Sequence, residues 1–307
     1  MPIIKCAVIG TGYLGKFHAE KYTKISNTQL IAICDLDRKR AQEIAQTYHV
    51  SADTDYHELL GKVDAVSIAS ATTSHYAIAK DFLQHKTHVL LEKPITVTVA
   101  EAKELVTIAQ QNQVILQVGH LERFNSAFLA LREKITQPQI IIASRLAPYK
   151  PRGNDVSVVL DLMIHDIDLA QNLIGAKIKS LRSTTATVIS PTPDFAITEI
   201  TYENGCIARL TANRLSHYTE RALTVIEKDA YFHSDLHHKV LTINRQDLAS
   251  TTPAITTQEI TTPKNDALFD EISAFIAAII NNSPPLVSGQ DGTYALETAI
   301  KIEQNTL

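Results

Sequence analysis

Short apolar runs alternate with amphipathic segments over the first third of the chain. Each apolar run predicts a buried strand, and each segment with an apolar residue every three or four positions predicts a helix. Strands that alternate with helices in this way are typical of a doubly wound parallel sheet. The predicted strands are residues 3–9, 29–34, 65–69, 88–91 and 114–118, and the predicted helices include residues 41–48 and 99–111.

After about residue 120 the pattern changes to strand-like runs with few helices between them. The dipeptide Asn204-Gly205 separates two of these runs and is typical of a hairpin turn. Such a pattern predicts an α+β domain with a large, open and mainly antiparallel sheet. Predicted here are strands at residues 139–145, 178–189, 196–202, 206–214, 222–226 and 239–243, and helices at residues 155–169, 267–280 and 291–304.

The change of pattern predicts two domains, residues 1–120 and residues 121–307, with the last helix, residues 291–304, packing back on the first domain. Few helices are predicted to cover the large sheet of the second domain. One face of that sheet is therefore expected to bury against another copy of the chain. We expect a homodimer or a homotetramer.

Composition narrows the class of protein. The chain has 307 residues, 45% of them hydrophobic, and a net charge of −4 with no run of Lys or Arg, which argues against a nucleic-acid partner. The three cysteines lack metal-ligand spacing, and two lie in predicted buried strands, as expected of reduced thiols in a cytoplasmic protein. No apolar run is long enough to span a membrane, and no signal peptide is recognisable. We expect no metal site.

A glycine-rich turn directly follows the first predicted strand. Its spacing, G-x-G-x-x-G, is typical of a turn that lets a pyrophosphate approach the backbone and rest on the N-terminus of the next helix. A glycine-rich turn without a ligand is the alternative. The residues expected to contact the nucleotide here are Gly10, Gly12, Tyr13, Leu14 and Gly15.

A carboxylate marks the end of the second predicted strand. Asp35 lies twenty residues after Gly15, which is the distance at which an acidic side chain binds the adenosine ribose hydroxyls. Asp35 would repel a 2′-phosphate, so NAD is favoured over NADP, although nearby Arg38 weakens that preference. A surface Asp is the alternative. The first domain is therefore predicted to be a dinucleotide-binding Rossmann domain.

Polar clusters follow three of the predicted strands, where ligands bind to doubly wound sheets. Lys93, between Glu92 and Pro94, is placed to hydrogen-bond a substrate hydroxyl or to polarise a carbonyl. A surface Lys that pairs with Glu92 is equally compatible with the local sequence. The cluster residues expected to contact cofactor or substrate are Ser70, Thr72, His75, Glu92, Lys93 and Arg123.

The predicted helix at residues 155–169 carries the second set of candidate catalytic residues. Asp161, His165 and Asp168 have i, i+4, i+7 spacing, which places them on one helix face. A carboxylate one turn before an imidazole orients the ring and stabilises its charged form, as a general base near neutral pH requires. A solvated polar stripe is the alternative.

Two basic residues precede this helix. Lys150 and Arg152 are expected to meet a substrate diphosphate, or else to form a solvated basic loop. The sequence assigns no role to His217 or Arg221.

Three motifs together resemble those of the glucose–fructose oxidoreductase/inositol dehydrogenase/MocA (Gfo/Idh/MocA) family: Gly10-x-Gly12-x-x-Gly15, Glu92-Lys93-Pro94 and Asp161-x-x-x-His165. The resemblance covers essentially the whole chain. It implies NAD(P)-dependent hydride transfer at a secondary alcohol, commonly of a sugar, a cyclitol or a nucleotide sugar. It also implies that Lys93, Asp161 and His165 line the substrate site, with His165 as the acid/base and Lys93 hydrogen-bonded to the reacting oxygen.

The segment from Arg152 to Asp168 resembles more narrowly those members that oxidise C3 of UDP-N-acetylglucosamine. That resemblance implies a 3-keto sugar, which an aminotransferase converts into the amino sugar of lipid A with amide-linked acyl chains. Three alternatives stay open. They are a dehydrogenase of another substrate such as an inositol, a free sugar, a cyclic imine or a tetrapyrrole; a non-catalytic regulator that senses a dinucleotide; and a metal hydrolase that uses Asp161, His165, Asp166 and Asp168.

Overall fold

The structure of the chain is a computed structural model that describes residues 2–150, 156–247 and 254–304. The chain forms two compact units, one of Met1–Leu121 with Asp266–Leu296 and one of Glu122–Asn265 with Glu297–Leu307. The sequence-based division placed residues 121–307 in the second domain and expected only the last helix, residues 291–304, to pack on the first, whereas the first unit includes Asp266–Leu296. In the described ranges, no helix is both long and apolar enough to cross a membrane.

A six-stranded parallel sheet forms the centre of the first unit. Its elements are β1 (Ile4–Ile9), α1 (Gly15–Lys24), β2 (Thr28–Cys34), α2 (Arg38–Tyr48), β3 (Ser51–Asp53), β4 (Ala65–Ile68), α3 (Thr72–Gln84), β5 (His88–Glu92), α4 (Val99–Asn112) and β6 (Leu116–Gly119). The strand order is β3-β2-β1-β4-β5-β6. The order reverses at β1 and β4, as in a doubly wound dinucleotide-binding sheet, so the predicted fold class of this unit is confirmed.

A helix from late in the sequence completes the core of this unit. The helix Ala267–Asn281 (called α7 below) buries Ile272, Phe275 and Ile276 in the same apolar cluster as Val8 of β1 and Tyr22 of α1. Each side chain buried in this way stabilises the fold by roughly 1.5–3 kcal/mol. This burial explains why the segment that begins at Asp266 belongs to the first unit.

An eight-stranded sheet forms the second unit. Its elements are α5 (Ser126–Arg132), β7 (Ile140–Leu146), α6 (Ile164–Ile174), β8 (Ile178–Ala186), β9 (Phe195–Tyr202), β10 (Ile207–Asn213), β11 (Glu220–Ile226), β12 (Ala230–Asp235), β13 (Val240–Gln246) and β14 (Ile255–Thr261). The final helix α8 (Gly289–Gln304) follows α7.

The order of this sheet is β14-β13-β12-β11-β7-β10-β9-β8. Only β7 and β10 run parallel among the neighbouring described strands, so the predicted mainly antiparallel sheet is confirmed. The predicted hairpin turn is also confirmed. It joins β9 to β10, and Gly205 has the positive φ of +87° that the turn requires.

The two faces of the eight-stranded sheet differ in exposure. On β7, Ile141 and Arg145 are buried, whereas Ile140 and Ile142 on the opposite face are 39% and 43% exposed. Arg145 donates two hydrogen bonds to Asp166 of α6, at 3.0 and 2.7 Å, so α6 lies on the buried face. The sheet therefore has one face covered by α6 and one open, partly apolar face.

Candidate active site

The glycine-rich turn after β1 has the backbone geometry that its sequence predicts. Gly10 has a φ of +84°, and a Cβ atom there would lie 2.7 Å from the backbone of Ser70. A Cβ at Gly15 would lie 1.9 Å from the carbonyl oxygen of Gly10. A Cβ at Gly12 would meet no atom within 4 Å, so open space adjoins the backbone at that residue. This is the space that a pyrophosphate occupies in such a turn.

The helix that follows the turn has a first turn suited to an anion. α1 begins at Gly15, and within the described chain its first turn has neither an acidic residue nor a side-chain cap. Its first N–H groups are therefore available to a ligand. Leu14 precedes the helix, and the exposed ring of Tyr13 packs edge-on against Phe17 with ring centroids 5.5 Å apart.

Asp35 is held in place at the carboxyl end of β2. Its Oδ2 accepts hydrogen bonds from the Thr11 main-chain N–H at 2.7 Å and the Thr11 hydroxyl at 2.8 Å, and its Oδ1 accepts one from the N–H of Asp37 at 2.9 Å. Burial would raise the pKa of Asp35, but these hydrogen bonds and Arg40 lower it. The side chain is therefore a fixed carboxylate, and a lone pair remains on Oδ1.

The arginine beside Asp35 is not the one singled out from the sequence. Arg40 lies 3.6 Å from Asp35 and 3.5 Å from Asp37, whereas Arg38 is exposed at the start of α2. The helical turn explains the difference, because Asp37 caps α2 and residue 40 projects back over the cap.

The three candidates after β4 have different surroundings. Thr72 begins α3, and the hydroxyl of Ser70 lies 2.8 Å from that of Ser74. His75 is buried, with Nδ1 2.9 Å from the carbonyl oxygen of Pro94 and Nε2 3.2 Å from that of Ser70. Burial lowers the pKa of His75 despite these carbonyl groups. His75 thus joins the turn after β4 to the turn after β5.

The turn that carries Lys93 is anchored by a buried carboxylate. Glu92 Oε1 lies 2.9 Å from Nε2 of the fully buried His18, and Glu92 Oε2 accepts a 3.3 Å hydrogen bond from the Lys93 main-chain N–H. Burial would raise the pKa of Glu92, but His18 and Lys93 lower it. Glu92 is therefore a buried carboxylate and not part of a surface pair.

A second buried glutamate lies behind this turn. Glu271 of α7 is fully buried, and among the described residues neither of its carboxylate oxygens has a hydrogen-bond partner. Burial, and then the negative charge of Glu92, raise the pKa of Glu271 well above its ordinary value. Glu271 is therefore the protonated member of the pair, because its carboxyl group, unlike that of Glu92, has no hydrogen-bond donor among the described residues to compensate a charge at this depth.

In the second unit, the residues predicted from the Asp-x-x-x-His motif lie at the start of α6. A π-helical turn, Val159–Met163, leads into α6, so the regular α-helix predicted through Asp161 is corrected to π geometry at that turn. Asp161 and His165 are both half-buried, whereas Met163 and Ile164 between them are buried. The two polar side chains of the motif are therefore more accessible than the two apolar residues between them.

Asp168 does not share the half-exposed position of Asp161 and His165. It is buried and accepts two hydrogen bonds from the buried Arg123, at 2.6 and 2.7 Å. The expected polar face of three residues is therefore wrong at Asp168, because the guanidinium of Arg123 compensates that charge inside the unit. Arg123, expected at the substrate, has its side chain committed to Asp168.

A second buried charge network includes the residue after His165. Arg145 binds Asp166 through two nitrogens and reaches Glu122 through a third at 2.8 Å. Arg221 reaches the same Glu122 oxygen at 3.2 Å and keeps 47% of its side chain exposed. Asp166 and Asp168 are thus both neutralised by arginines, which leaves them unsuited to the metal-hydrolase alternative.

The remaining basic candidates lie near the end of β7 and the start of β11, or outside the described residues. Lys150 is exposed after β7, whereas Arg152 lies outside the described residues. Arg221 is the cross-strand partner of Arg145, so both side chains lie on the face that α6 covers. His217 is exposed in the loop before β11 and packs edge-on against Tyr218.

The two units have complementary chemistry. NAD fits the first unit, which offers space at Gly12, unengaged N–H groups at α1 and a fixed carboxylate at Asp35. The second unit offers a half-exposed carboxylate and imidazole, Asp161 and His165, on one stretch of helix. The roles of His18, Gly119 and Glu271 were not anticipated from the sequence, because each depends on Glu92, which is distant from all three in the chain.

Comparisons with known proteins identify both units. A family model described as the GFO/IDH/MocA oxidoreductase family with an NAD-binding Rossmann fold matches residues 4–120. A model of the GFO/IDH/MocA C-terminal domain matches residues 141–232.

Individual relatives cover nearly the whole chain. A UDP-N-acetylglucosamine 3-dehydrogenase from Acidithiobacillus ferrooxidans is 35% identical over 97% of this chain and 96% of its own. A solved structure of that enzyme has a TM-score of 0.93 and covers 100% of this chain and 98% of its own at 34% identity. A myo-inositol 2-dehydrogenase from Thermotoga maritima is 26% identical over 95% of this chain and 93% of its own.

A more distant structure supports the fold alone. The scyllo-inositol dehydrogenase from Lactobacillus casei, solved with bound NAD(H) and scyllo-inositol, has a TM-score of 0.84 at 20% identity and covers 99% of this chain and 97% of its own.

The fixed carboxylate at Asp35 generates a prediction about cofactor choice. Asp35→Ser should lower the ratio of the NADP dissociation constant to the NAD dissociation constant by roughly tenfold, because it removes a charge that repels the 2′-phosphate of NADP. Titration of both nucleotides measures the ratio. Asp37→Ser is the matched control, since it removes a neighbouring carboxylate and keeps a helix-capping side chain. Tighter binding of NADP than NAD by the wild type would contradict the assignment.

The raised pKa of Glu271 generates a prediction about stability and pH. Above pH 4.5, the ordinary pKa of glutamate, the unfolded chain releases the carboxyl proton of Glu271, whereas the folded chain keeps it. The stability contribution of Glu271 is therefore lost as pH rises through its folded-state pKa. Glu271→Gln should gain melting temperature relative to the wild type between about pH 5 and pH 8. Glu43→Gln, on the exposed face of α2, should show no such trend.

Proposed function

The chain belongs to the GFO/IDH/MocA oxidoreductase family, and we propose that it transfers a hydride to NAD from a secondary hydroxyl of a sugar nucleotide. The proposed substrate is UDP-N-acetylglucosamine, oxidised at C3 to the 3-keto sugar. The observation that carries the proposal is the half-exposed Asp161/His165 pair at the start of α6, beside acidic residues that arginines neutralise. The likeness to the Acidithiobacillus ferrooxidans enzyme along nearly the whole chain supports this choice of substrate.

The proposed chemistry needs one base, one orienting group and one hydrogen-bond donor. His165 removes the hydroxyl proton while the carbon–hydrogen bond of the same carbon breaks and a carbonyl forms. Asp161 orients the imidazole and stabilises its charged form. Lys93 hydrogen-bonds the reacting oxygen and stabilises its developing negative charge. Bound NAD supplies the hydride acceptor.

The proposed cofactor contacts follow the geometry of the first unit. The turn at Gly10, Gly12, Tyr13, Leu14 and Gly15 holds the pyrophosphate on α1, and Asp35 accepts the ribose hydroxyls. Further contacts proposed after β2, β4 and β5 come from Arg38, Ser70, Thr72 and Lys93. Glu92, expected among these contacts from the sequence, contributes with His75 by holding the turns in place.

The proposed diphosphate contacts lie in the second unit. Lys150 and Arg152 keep the role expected from the sequence, and Arg221 is added to them. Arg221 is a suitable anion ligand, because Glu122 fixes one nitrogen of its guanidinium while nearly half of the side chain is exposed. Arg123 is omitted from this set, since its guanidinium is paired with Asp168.

The proposed product implies a partner reaction. Oxidation of a secondary alcohol by NAD is uphill, so a reaction that consumes the ketone has to draw it forward. We propose that this reaction is a cytoplasmic amination of the 3-keto sugar by an aminotransferase, which leads to lipid A with amide-linked acyl chains.

The function is tested by NAD reduction against a panel of UDP-sugars, free sugars and inositols, with an aminotransferase added to remove ketone. We expect UDP-N-acetylglucosamine to be oxidised. His165→Ala should lower kcat by about 10²–10⁴-fold, the usual contribution of a general acid–base group, with little change in NAD affinity. His238→Ala, at an exposed histidine of the same unit, is the matched control and should keep wild-type turnover.

Each outcome of the panel has a distinct meaning. Activity on inositol without activity on UDP-sugars would replace the substrate and keep the proposed mechanism. Wild-type turnover by His165→Ala would overturn the mechanism. A chain that binds NAD but oxidises no member of the panel would favour a dinucleotide-sensing regulator.

The open face of the eight-stranded sheet supports a further part of the proposal, self-association. Its exposed apolar side chains are Ile140 and Ile142 of β7, Ile197 of β9, Ile207 of β10 and Tyr231 of β12. Cross-strand register places Ile207 and Ile226 on either side of Ile140, so these side chains form a continuous patch. We infer that a second copy of this chain covers the patch, since exposed apolar patches of this kind mark protein interfaces.

Sedimentation at micromolar concentration tests the inferred assembly. The wild type should sediment as a dimer or tetramer of the 33.9 kDa chain. Ile142→Asp should shift the species toward a monomer, because it places a charge in the middle of the patch. Val97→Asp, at an exposed apolar residue of the first unit, should not. A monomeric wild type would refute the inference.

A further inference from the structure

One histidine of the nucleotide-binding helix reaches the turn that carries Lys93. His18 lies three residues after Gly15, the first residue of α1, and it is fully buried. Its Nε2 lies 2.9 Å from Glu92 Oε1. Because Glu92 is a carboxylate and can only accept, Nε2 of His18 carries the donated proton. The helix proposed to hold the pyrophosphate at its N-terminus is thereby bonded to the end of β5.

Glu92 also holds the main chain of the residue that follows it. Its second oxygen, Oε2, accepts the main-chain N–H of Lys93 at 3.3 Å. Both oxygens of the carboxylate are therefore engaged, one by the helix and one by the turn. A buried carboxylate that is hydrogen-bonded at both oxygens has little freedom to rotate, because each rotation would leave a charge unpaired.

The chain leaves space for the carboxylate at Gly119. A Cβ atom at residue 119 would lie 2.9 Å from the Glu92 carboxyl carbon and 2.9 and 3.1 Å from its two oxygens. The φ angle of Gly119 is not positive, so the backbone conformation at this residue does not require glycine. The close approach of the Glu92 carboxylate is the requirement that the structure shows at this position.

We propose that His18 is a positioning residue for Lys93: it fixes the Glu92 carboxylate, which in turn fixes the main chain from which the Lys93 side chain projects. The proposal rests on the proposed function only in assigning Lys93 a role in hydride transfer. It adds that the position of Lys93 relative to the cofactor is set by one hydrogen bond from the pyrophosphate-binding helix. His18 itself needs no contact with cofactor or substrate.

The test compares four variants in two measurements. His18→Leu removes the donor, His18→Gln retains an N–H donor at a similar reach, and Gly119→Ala pushes on the carboxylate from its other side. Tyr22→Phe is the control, since Tyr22 lies one turn further on the same helix and loses only its 2.8 Å hydrogen bond to Ser67. Hydrogen exchange of the Lys93 amide is measured without substrate, and kcat and the NAD dissociation constant are measured separately.

We expect His18→Leu and Gly119→Ala to speed exchange of the Lys93 amide and to lower kcat by about 10–10²-fold, the size of effect that a small misplacement produces. The NAD dissociation constant should change much less than kcat. His18→Gln should recover most of both losses. Tyr22→Phe should lower the melting temperature and leave exchange at Lys93 and kcat at wild-type values.

Several results would overturn the proposal. One is a folded His18→Leu with wild-type exchange at Lys93 and wild-type kcat. Another is a loss of kcat in Tyr22→Phe that bears the same relation to its loss of melting temperature as in His18→Leu. The effect of His18→Leu would then be one of general stability. If His18→Leu does not fold, wild-type behaviour of Gly119→Ala decides against the proposal. A wild type inert to every substrate overturns the proposed function instead, and the exchange comparison still tests the role of His18.

Discussion

The buried charge of Glu92 is the constraint on which the cofactor side of this protein depends. A carboxylate at that depth is stable only if a donor meets it, and His18 is that donor. The same requirement explains why residue 119 lacks a side chain and why Glu271 keeps its proton. The Lys93 turn is thus fixed by the electrostatics of the core, and a loop held in this way needs no ligand to be ordered.

In the second unit, arginines compensate the charge of the buried carboxylates. Arg145 and Arg123 neutralise Asp166 and Asp168, the acidic residues closest in sequence to His165. Replacement of one partner in such a pair leaves an uncompensated charge, at a cost of about 3–5 kcal/mol, so the pairs hold α6 firmly to its surroundings. Asp161 and His165 are left half-exposed beside them. In both units, therefore, buried ion pairs lie directly next to the residue proposed to do chemistry.

The sequence predicted those features that depend on local pattern. The G-x-G-x-x-G spacing and Asp35 predicted a nucleotide site, and strand-like apolar runs predicted most strands of both sheets. The strand β14 was missed because it is an exposed edge strand rich in Thr, without the alternation that burial imposes. Asp168 was misplaced and His18 overlooked for one reason. Their partners, Arg123 and Glu92, are 45 and 74 residues away in the chain.

The choice of substrate is a separate problem from the chemistry. The roles proposed for Lys93, Asp161 and His165 suit any secondary hydroxyl, so these three residues cannot distinguish an inositol from a sugar nucleotide. Discrimination has to come from groups that meet the rest of the substrate, where an unpaired charge or a missing hydrogen bond separates two ligands. Arg221 is the residue proposed for this role, because Glu122 engages only one nitrogen of its guanidinium at 3.2 Å. An uncharged cyclitol would offer that guanidinium no anion, whereas a diphosphate would pair with it.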